Sequence, residues 1–223
     1  MFQTLDTAVF HISHSRSKAV SEAILGDFEG VIVGDSHPAW NAVGRALQKC
    51  LLHYFRDLYR TLDCNNAAEF VALFDELRSI LKSAMGLRGR YERAADIPRG
   101  SITRLQNRID ALASGTYKDG DCKRYAKRLR REGGALLTFL RYDGVPYHND
   151  ASEQAVRMFA IMRKIFYGSR SEKGLKTTEI RETIFATCER RGTNPCEFTI
   201  RYLRGEATEI PGAAPKIAAA CAA

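Results

Sequence analysis

The run Gly30-Val31-Ile32-Val33-Gly34-Asp35 constrains this chain more than any other stretch. It is short, continuously apolar and β-branched, and it closes on a glycine and an acid. Unbroken hydrophobicity reads as a strand buried on both faces, as in the middle of an α/β sheet. The segment before it, Thr7 to Ile12, alternates instead, with Ala8, Phe10 and Ile12 on one face and Thr7, Val9 and His11 on the other. Between the two, Ser15 or Ser17 caps a short helix carrying Ala19, Val20, Ala23, Ile24 and Leu25, and Gly26 stops it. Strand, crossover helix and buried strand make a βαβ-like order. Leu47 to Cys50 reads as a further short strand. The expected fold class is α/β, mostly helical by content. Asp35 falls at the carboxyl end of the buried strand, where such sheets build their sites. It also reads as a cap for the helix entry Ser36-His37-Pro38, and the sequence alone leaves cap and site both open.

From Asn65 the chain turns helical for a long way. Asn65 or Asn66 is expected to cap a helix whose Phe70, Leu73, Phe74, Leu77, Ile80, Leu81 and Ala84 repeat at the spacing of one buried face. Pro98-Arg99-Gly100 breaks the pattern. A second helix starts at Ser101 with Ile102, Leu105, Ile109 and Leu112 inward, and a third runs from Asp121 to Arg141, interrupted at Gly133-Gly134. Later helices are expected over 150–163, burying Val156, Phe159 and Ala160, and over 177–191, with Ile180, Ile184, Phe185 and Cys188 inward. A last short helix runs from Pro195 to Arg204. These patterns divide the chain into an α/β start at 1–63, an all-helical segment at 64–135, closing helices at 136–205 and a flexible tail at 206–223.

Charge narrows the partner. Thirty-four Lys and Arg against 26 Asp and Glu leave a formal net charge of +8, which favours a polyanion, nucleic acid ahead of anionic membrane. Two runs carry much of the excess, Lys118 to Glu132 and Arg157 to Lys176. Each reads singly as a solvated helix face, but together they flank one acidic loop, and phosphates need cations beside any metal held by carboxylates. No apolar run is long enough to span a bilayer, and Met1 to Asp6 lacks the layout of a secretion signal. The six cysteines form no Cys-x-x-Cys pair, which argues against a zinc ribbon or redox motif. Cys50 and His53 lie close in sequence, yet two ligands do not make a zinc site, so His53 reads as structural or DNA-facing. A reducing cytoplasm suits this cysteine usage.

The acidic loop is Tyr147-His148-Asn149-Asp150-Ala151-Ser152-Glu153-Gln154-Ala155-Val156-Arg157. Asn149 or Asp150 caps a helix and Glu153 falls on its first turn. Locally, Glu153 reads as a residue favoured by the helix dipole and paired with Arg157 four positions on.

In order and at workable spacing, four segments resemble the insertion-sequence sixty-six family of transposases, whose catalytic domain is of the Asp-Asp-Glu (DDE) class. They are Ser15-Arg16-Ser17 with Leu25 to Asp35 and Ala39-Trp40-Asn41; Gln48 to Leu58, similar to the family's Gln-x-Cys-x-x-His-x-x-Arg block; Leu137 to Leu140 with Asp143 to Pro146 and Asn149 to Arg157; and Thr187 to Gly192. The likeness runs from about residue 7 to about residue 204. It implies an RNase H-like core with a helical insertion between the second acid, Asp35, and the third, Glu153. It also implies Mg2+ or Mn2+ held by those carboxylates, and DNA strand cleavage and transfer at insertion-sequence ends. His53, Arg56, Asn149 and Arg157 match family positions and are expected to support the site or hold DNA, with Arg163 and Lys164 as further DNA contacts. A second copy of the chain or an intact transposase is the expected protein partner.

The resemblance also carries departures. The family places its first aspartate in an Asp-Glu-Thr segment on an earlier strand, whereas Met1-Phe2-Gln3 opens at or after the next one. Asp6 lies in a hairpin turn and is not expected to replace that ligand. Position 148 is His and 150 is Asp where the family has Asn, and Ser152 and Gln154 replace a small apolar and a basic residue beside Glu153. The expectation is a truncated catalytic domain, inactive alone. The alternatives are a DNA-binding remnant without catalysis or a decaying gene product.

Overall fold

The computed structural model describes residues 1–222 except Leu5, His14, Arg16, Ala42, Arg45 and 213–218. Arg16 of the first family-like segment and part of the expected flexible tail therefore lie outside the described residues. The elements in chain order are β1 (Phe2–Gln3), β2 (Ala8–Val9), α1 (Lys18–Leu25), β3 (Val31–Gly34), α2 (Pro38–Asn41), β4 (Leu47–Lys49) and α3 (Leu51–Leu62). They continue with α4 (Ala68–Arg88), α5 (Arg99–Ser114), α6 (Gly120–Glu132), α7 (Asp150–Phe166), α8 (Glu172–Arg190), α9 (Pro195–Leu203) and β5 (Ala219–Ala222). Helix dominates and the strands are few and short. The chain divides into two compact units, Val31–His148 on one hand and Met1–Gly30 with Asn149–Ala223 on the other.

In the Val31–His148 unit, β3 and β4 pair in parallel, with Ile32 opposite Leu47, Val33 opposite Gln48 and Gly34 opposite Lys49. Every residue of β3 is buried, as its unbroken apolar run requires. Gly34 meets a specific need: a Cβ there would lie 3.3 Å from the Trp40 indole. Among the described residues no further strand extends the pairing beyond β4. The buried Gln48 side chain substitutes for one. Its Oε1 accepts from Phe139 N–H at 2.8 Å and its Nε2 donates to the Leu136 carbonyl at 3.3 Å, while Thr138 Oγ1 donates to the Leu47 carbonyl at 2.7 Å. These bonds fasten the short 3-10 turns Gly133–Leu136 and Thr138–Leu140 to β4.

The helices of this unit follow their apolar stripes. In α4 the buried set is Phe70, Leu73, Phe74, Leu77, Ile80, Leu81 and Ala84, every position that the spacing predicts. Its cap differs from expectation. Ala67 holds the N-cap without a side-chain bond, because Asn65 is used elsewhere: its Oδ1 accepts from Ala67 N–H, and its Nδ2 donates to Asp119 and Asp121. In α5, Ile102, Leu105 and Ile109 are buried as expected, but the last turn buries Ala113, with Leu112 half-buried. The third predicted helix stops at Glu132. Gly133 allows a close approach there, since a Cβ would meet Ile109 Cγ2 at 2.8 Å.

The stripe of α6 holds a charge. Cys122, Tyr125, Ala126, Leu129 and Glu132 are its buried residues. Burial alone would push the Glu132 carboxyl up. Hydrogen bonds from Arg131 and Arg128, with the nearby Lys49 ammonium, outweigh it and hold the group below the ordinary glutamate range.

In the other unit, β1 pairs antiparallel with β2 and with β5. The β1–β2 turn is closed by Asp6, whose Oδ1 accepts from Thr4 Oγ1 at 2.8 Å and Thr7 Oγ1 at 3.2 Å, with Arg191 beside its other oxygen at 3.5 Å. Asp6 is thus a turn residue. On its far side the Ala8–Ile12 segment lies along α8. Thr187 Oγ1 accepts from Ala8 N–H at 3.1 Å, Thr183 Oγ1 from Phe10 N–H at 3.0 Å, and Glu179 Oε1 from Ile12 N–H. Two extended residues advance roughly 6.6 Å and four helical residues roughly 6 Å, so the two repeats stay in step over this length. The expected inward face of α8 holds at Cys188 and in part at the half-buried Ile184, and this pairing overturns it at Ile180 and Phe185. Ile180 and Phe185 are exposed, and the buried residues are Glu179, Thr187 and Cys188. The predicted hydrophobic stripe loses to the unmet N–H groups of the Ala8–Ile12 edge, whose burial without partners would cost more. The last helix starts as expected at Pro195, capped by Asn194, whose side chain accepts from Cys196 and Glu197 N–H. Val156, Phe159 and Ala160 of α7 are only half-buried, with Phe159 against Phe10 at 5.9 Å between ring centres.

Two stability outcomes follow from these contacts. Thr187→Val leaves Ala8 N–H without its acceptor and is expected to cost about 1–3 kcal/mol in chemical denaturation, whereas Thr187→Ser retains most of the stability. Glu132→Gln removes the charge facing Arg128 and Arg131 and is expected to cost about 3–5 kcal/mol at pH 7. Because the folded state depresses the Glu132 carboxyl, its contribution is complete above the ordinary glutamate pKa and fades as pH falls through the folded value. The stability difference between wild type and Glu132→Gln, measured by denaturant unfolding, should shrink in that acid window.

Candidate functional site

Asp35 follows the last residue of β3, and the register of β3 against β4 fixes where the chain leaves the sheet. Its Oδ1 accepts from His37 N–H at 2.9 Å and from the Trp40 indole Nε1–H at 2.9 Å. The first bond closes a tight turn over 35–37, while Ala39 N–H of α2 donates to His37 Nδ1 at 3.3 Å, so Asp35 shapes the turn ahead of α2 and does not cap the helix. It uses one oxygen only. Among the described residues no donor reaches Oδ2. The side chain is only half-buried, so the second oxygen remains available as a hard donor to a cation.

Beneath this turn lies a buried polar cluster. Lys49, fully buried on β4, donates from Nζ to the Asp35 carbonyl at 3.2 Å. Burial pulls its ammonium down to about 8, against the opposing pull of Glu132 and Asp35. Arg128 on α6 donates to Ser36 Oγ, to Asp57 Oδ2 at 2.8 Å and to Glu132 Oε2 at 3.1 Å. Its guanidinium sits 3.7 Å from the centre of the buried Tyr54 ring. The Tyr54 hydroxyl donates to Glu132 Oε2 at 3.2 Å, and Arg131 covers Glu132 Oε1. Burial is the main cause that pushes the Tyr54 hydroxyl up. For Arg128, burial pulls the other way, and Tyr54, Asp57 and Glu132 together still raise it.

Within the Lys118–Glu132 run, Lys118, Lys123, Arg124, Lys127, Arg130 and Arg131 are exposed, as a solvated face requires, and Arg128 departs from that reading. The Arg128 side chain is mostly covered and bonded to three acceptors. Arg124 is tied to Asp121 and Thr61, and Arg130 donates to the Ala113 carbonyl. Sequence reasoning passed over Lys49, Tyr54, Arg128 and Glu132. A signal was there to find: Glu132 continues the 122, 125–126, 129 stripe, and Arg128 precedes it by four. A carboxylate on an apolar stripe with arginine at that spacing calls for a buried pair.

Of the remaining predicted residues in the Val31–His148 unit, His53 is half-buried on the first turn of α3 and Arg56 is exposed on the same helix. α3 begins directly after β4, with Cys50 at its N-cap and Leu51 N–H bonded to the Tyr147 carbonyl at 2.8 Å. In the other unit, α7 starts at Asp150 with Asn149 as N-cap, though without a side-chain cap bond. The Asn149 carbonyl accepts from Ser152 and Glu153 N–H at 3.0 and 3.2 Å. Asn149 and Ser152 are buried and Glu153 is half-buried on the first turn, where the helix N-terminus favours an anion. Arg157, Arg163 and Lys164 are exposed along α7. Arg157 and Lys164, seven residues apart, share a face. Arg163 instead lines a groove of about 390 Å³ with Ile12, Phe159, Gly168 and Arg181. The structure thus brings Asp35 together with Lys49 and Arg128, and Glu153 together with Asn149.

No helix among the described residues is long and apolar enough to cross a membrane. No curated protein and no solved structure matches the chain. The profile of the family described as "Transposase IS66 family" matches residues 2–177, a span that includes both Asp35 and Glu153. With well over half of its length matched, this chain belongs to the IS66 family of transposases.

Proposed function

We propose that this chain carries two of the three catalytic carboxylates of a DDE transposase, Asp35 and Glu153, and acts on the DNA ends of an insertion sequence by strand cleavage and strand transfer. The observation that carries this reading is the family match across residues 2–177, joined to the placement of Asp35 at the end of a buried parallel strand with one oxygen held by two donors and the other open. In this reading β3 and β4 belong to an RNase H-like core, residues 64–135 form a helical insertion, and 136–205 bring the closing helices with the third acid.

The donor set fits a hard divalent ion such as Mg2+ or Mn2+, which prefers carboxylate oxygens. Bound there, such ions would activate the attacking water or DNA 3′-hydroxyl and offset charge on the leaving oxygen. The chain's own residues do the holding. Trp40 and the His37 N–H orient Asp35, and Glu153 is carried on the first turn of α7. His53, Arg56 and Asn149 support the site, while Arg157, Arg163 and Lys164 bind phosphates. The 223 residues contain no Asp-Glu-Thr triplet, so on their own they are expected not to cleave. In a transposase that supplies the first aspartate, Asp35→Asn and Glu153→Gln should each abolish Mg2+- or Mn2+-dependent nicking of element ends while leaving DNA binding intact. Cleavage at wild-type rate by either variant removes that residue from the mechanism.

A binding role without catalysis is favoured by a separate observation, the exposed cations of α7 on a chain of net charge +8. DNA affinity should fall steeply with salt through counterion release. Replacing Arg157 and Lys164 by alanine should reduce the magnitude of the log–log salt slope by roughly 2, since each phosphate contact contributes about 0.9. A slope unchanged by the double substitution places the DNA contact elsewhere.

A further inference from the structure

Asp35 is fixed from above by Trp40 and His37, but its backbone is fixed from below by two cations that the transposase reading does not assign. Lys49 Nζ reaches the Asp35 carbonyl at 3.2 Å. Arg128 reaches the hydroxyl of the next residue, Ser36. Both come from buried positions, with Lys49 fully buried and the Arg128 side chain 11% exposed. Neither is placed there by its own flexibility. Arg128 is clamped by Asp57, Glu132 and the Tyr54 ring, and Lys49 is held by the pairing of β4 with β3.

A fold has little reason to bury two cations against one turn. Burying a charge is costly, and an apolar replacement of similar volume is often neutral or better for stability. A lysine within a short parallel strand is also a poor strand former. The buried Glu132 carboxylate offsets part of that charge, since Arg128 bonds it and Lys49 lies near it; beyond Glu132, what the two cations share is the Asp35–Ser36 segment. A carboxylate that binds a metal must be held within about 0.5 Å of its working position, and the residues behind metal ligands typically affect affinity by about 10- to 100-fold.

We infer that Lys49 and Arg128 are positioning residues for the Asp35 carboxylate, acting through the Asp35 carbonyl and the Ser36 hydroxyl, so that the helical segment carrying Arg128 sets the geometry of the second acid. The inference rests on the reading of Asp35 as a metal ligand. It extends that reading by giving α6 a role in the site, where its basic run would otherwise serve only the surface.

Ser36→Ala tests it with least disturbance, because it cuts the link from Arg128 to the turn and leaves the Arg128–Asp57–Glu132 bonds in place. Two readouts on the full chain separate the possibilities. The first is hydrogen exchange at the His37 amide, which donates to Asp35 Oδ1. The second is Mn2+ affinity from electron paramagnetic resonance titration, with Asp35→Asn as control. Ser36→Ala should raise His37 exchange about 10-fold or more, corresponding to loss of one or more hydrogen bonds, while exchange in α3 and α6 stays at wild-type level. It should weaken Mn2+ binding by about 10-fold, with Ser36→Thr restoring both. Lys49→Met should show the same two changes without loss of thermal stability. Wild-type exchange and wild-type Mn2+ affinity in both Ser36→Ala and Lys49→Met overturn the positioning role, whatever Asp35→Asn does. If Asp35→Asn binds Mn2+ like wild type, or if wild type binds none, the metal-ligand reading of Asp35 fails, and His37 exchange alone then decides whether Lys49 and Arg128 hold the turn.

Discussion

The carboxylate of Glu132 is buried in the Val31–His148 unit, and much of that unit is arranged around neutralising it. An ionised carboxyl without partners would cost several kcal/mol there. Glu132 meets the Tyr54 hydroxyl, Arg128 and Arg131. Two of those partners then bring another element. Tyr54 belongs to α3, and Arg128 extends to Asp57 on the same helix and to Ser36 beyond β3. One buried charge on α6 thereby connects α3 and the turn that bears Asp35. The flat Arg128 guanidinium suits this task, because its fixed fork serves three acceptors while its face lies on Tyr54.

The second unit solves a different problem by similar means. The Ala8–Ile12 segment has strand pairing with β1 on one side over Ala8–Val9 only. Its other edge presents N–H groups at every second residue, and burying them unpaired is not allowed. α8 supplies acceptors at every fourth residue, Thr187, Thr183 and Glu179. The near match of strand and helix repeats makes this possible for three successive pairs. Glu179 also takes His11 and Lys176. Burial opposes its ionisation, yet the Ile12 N–H, Lys176 and His11 together hold its carboxyl below the ordinary range. In both units, polar side chains do work that longer strands would otherwise do.

Much of this was legible in the sequence where one physical term dominates. The α4 stripe was legible residue by residue because burial alone decides it. The Gly30–Asp35 run announced a buried strand ending in an acid, and Asn194-Pro195 announced the last helix through capping and the fixed φ of proline. Failures came where two terms compete. Ile180 and Phe185 are more hydrophobic than Glu179 and Thr187, but hydropathy carries no information about N–H groups on a segment 167 or more residues earlier. Arg128 was indistinguishable in composition from its neighbours Lys127 and Arg130, and only the burial of Glu132 four residues on separates it from a solvated lysine. For the proposed site, the ends of elements were readable, and so Asp35 was expected after a buried strand and Glu153 on a first helical turn, where the structure has them. Lys49 was hidden inside a block recognised for Gln48, Cys50 and His53.

The central claim is that Asp35 presents a metal-binding carboxylate on a turn whose shape is set by the Glu132–Arg128 cluster. Anomalous diffraction from crystals grown with Mn2+ tests it most directly. The account predicts a manganese peak bonded to the Asp35 carboxylate at roughly 2.1 Å, the oxygen-ligand distance of a small divalent ion. It also predicts that Arg128 remains bonded to Ser36, Asp57 and Glu132. A manganese peak confined to other residues, or an Asp35 turn that adopts another shape while the cluster stays intact, would contradict it.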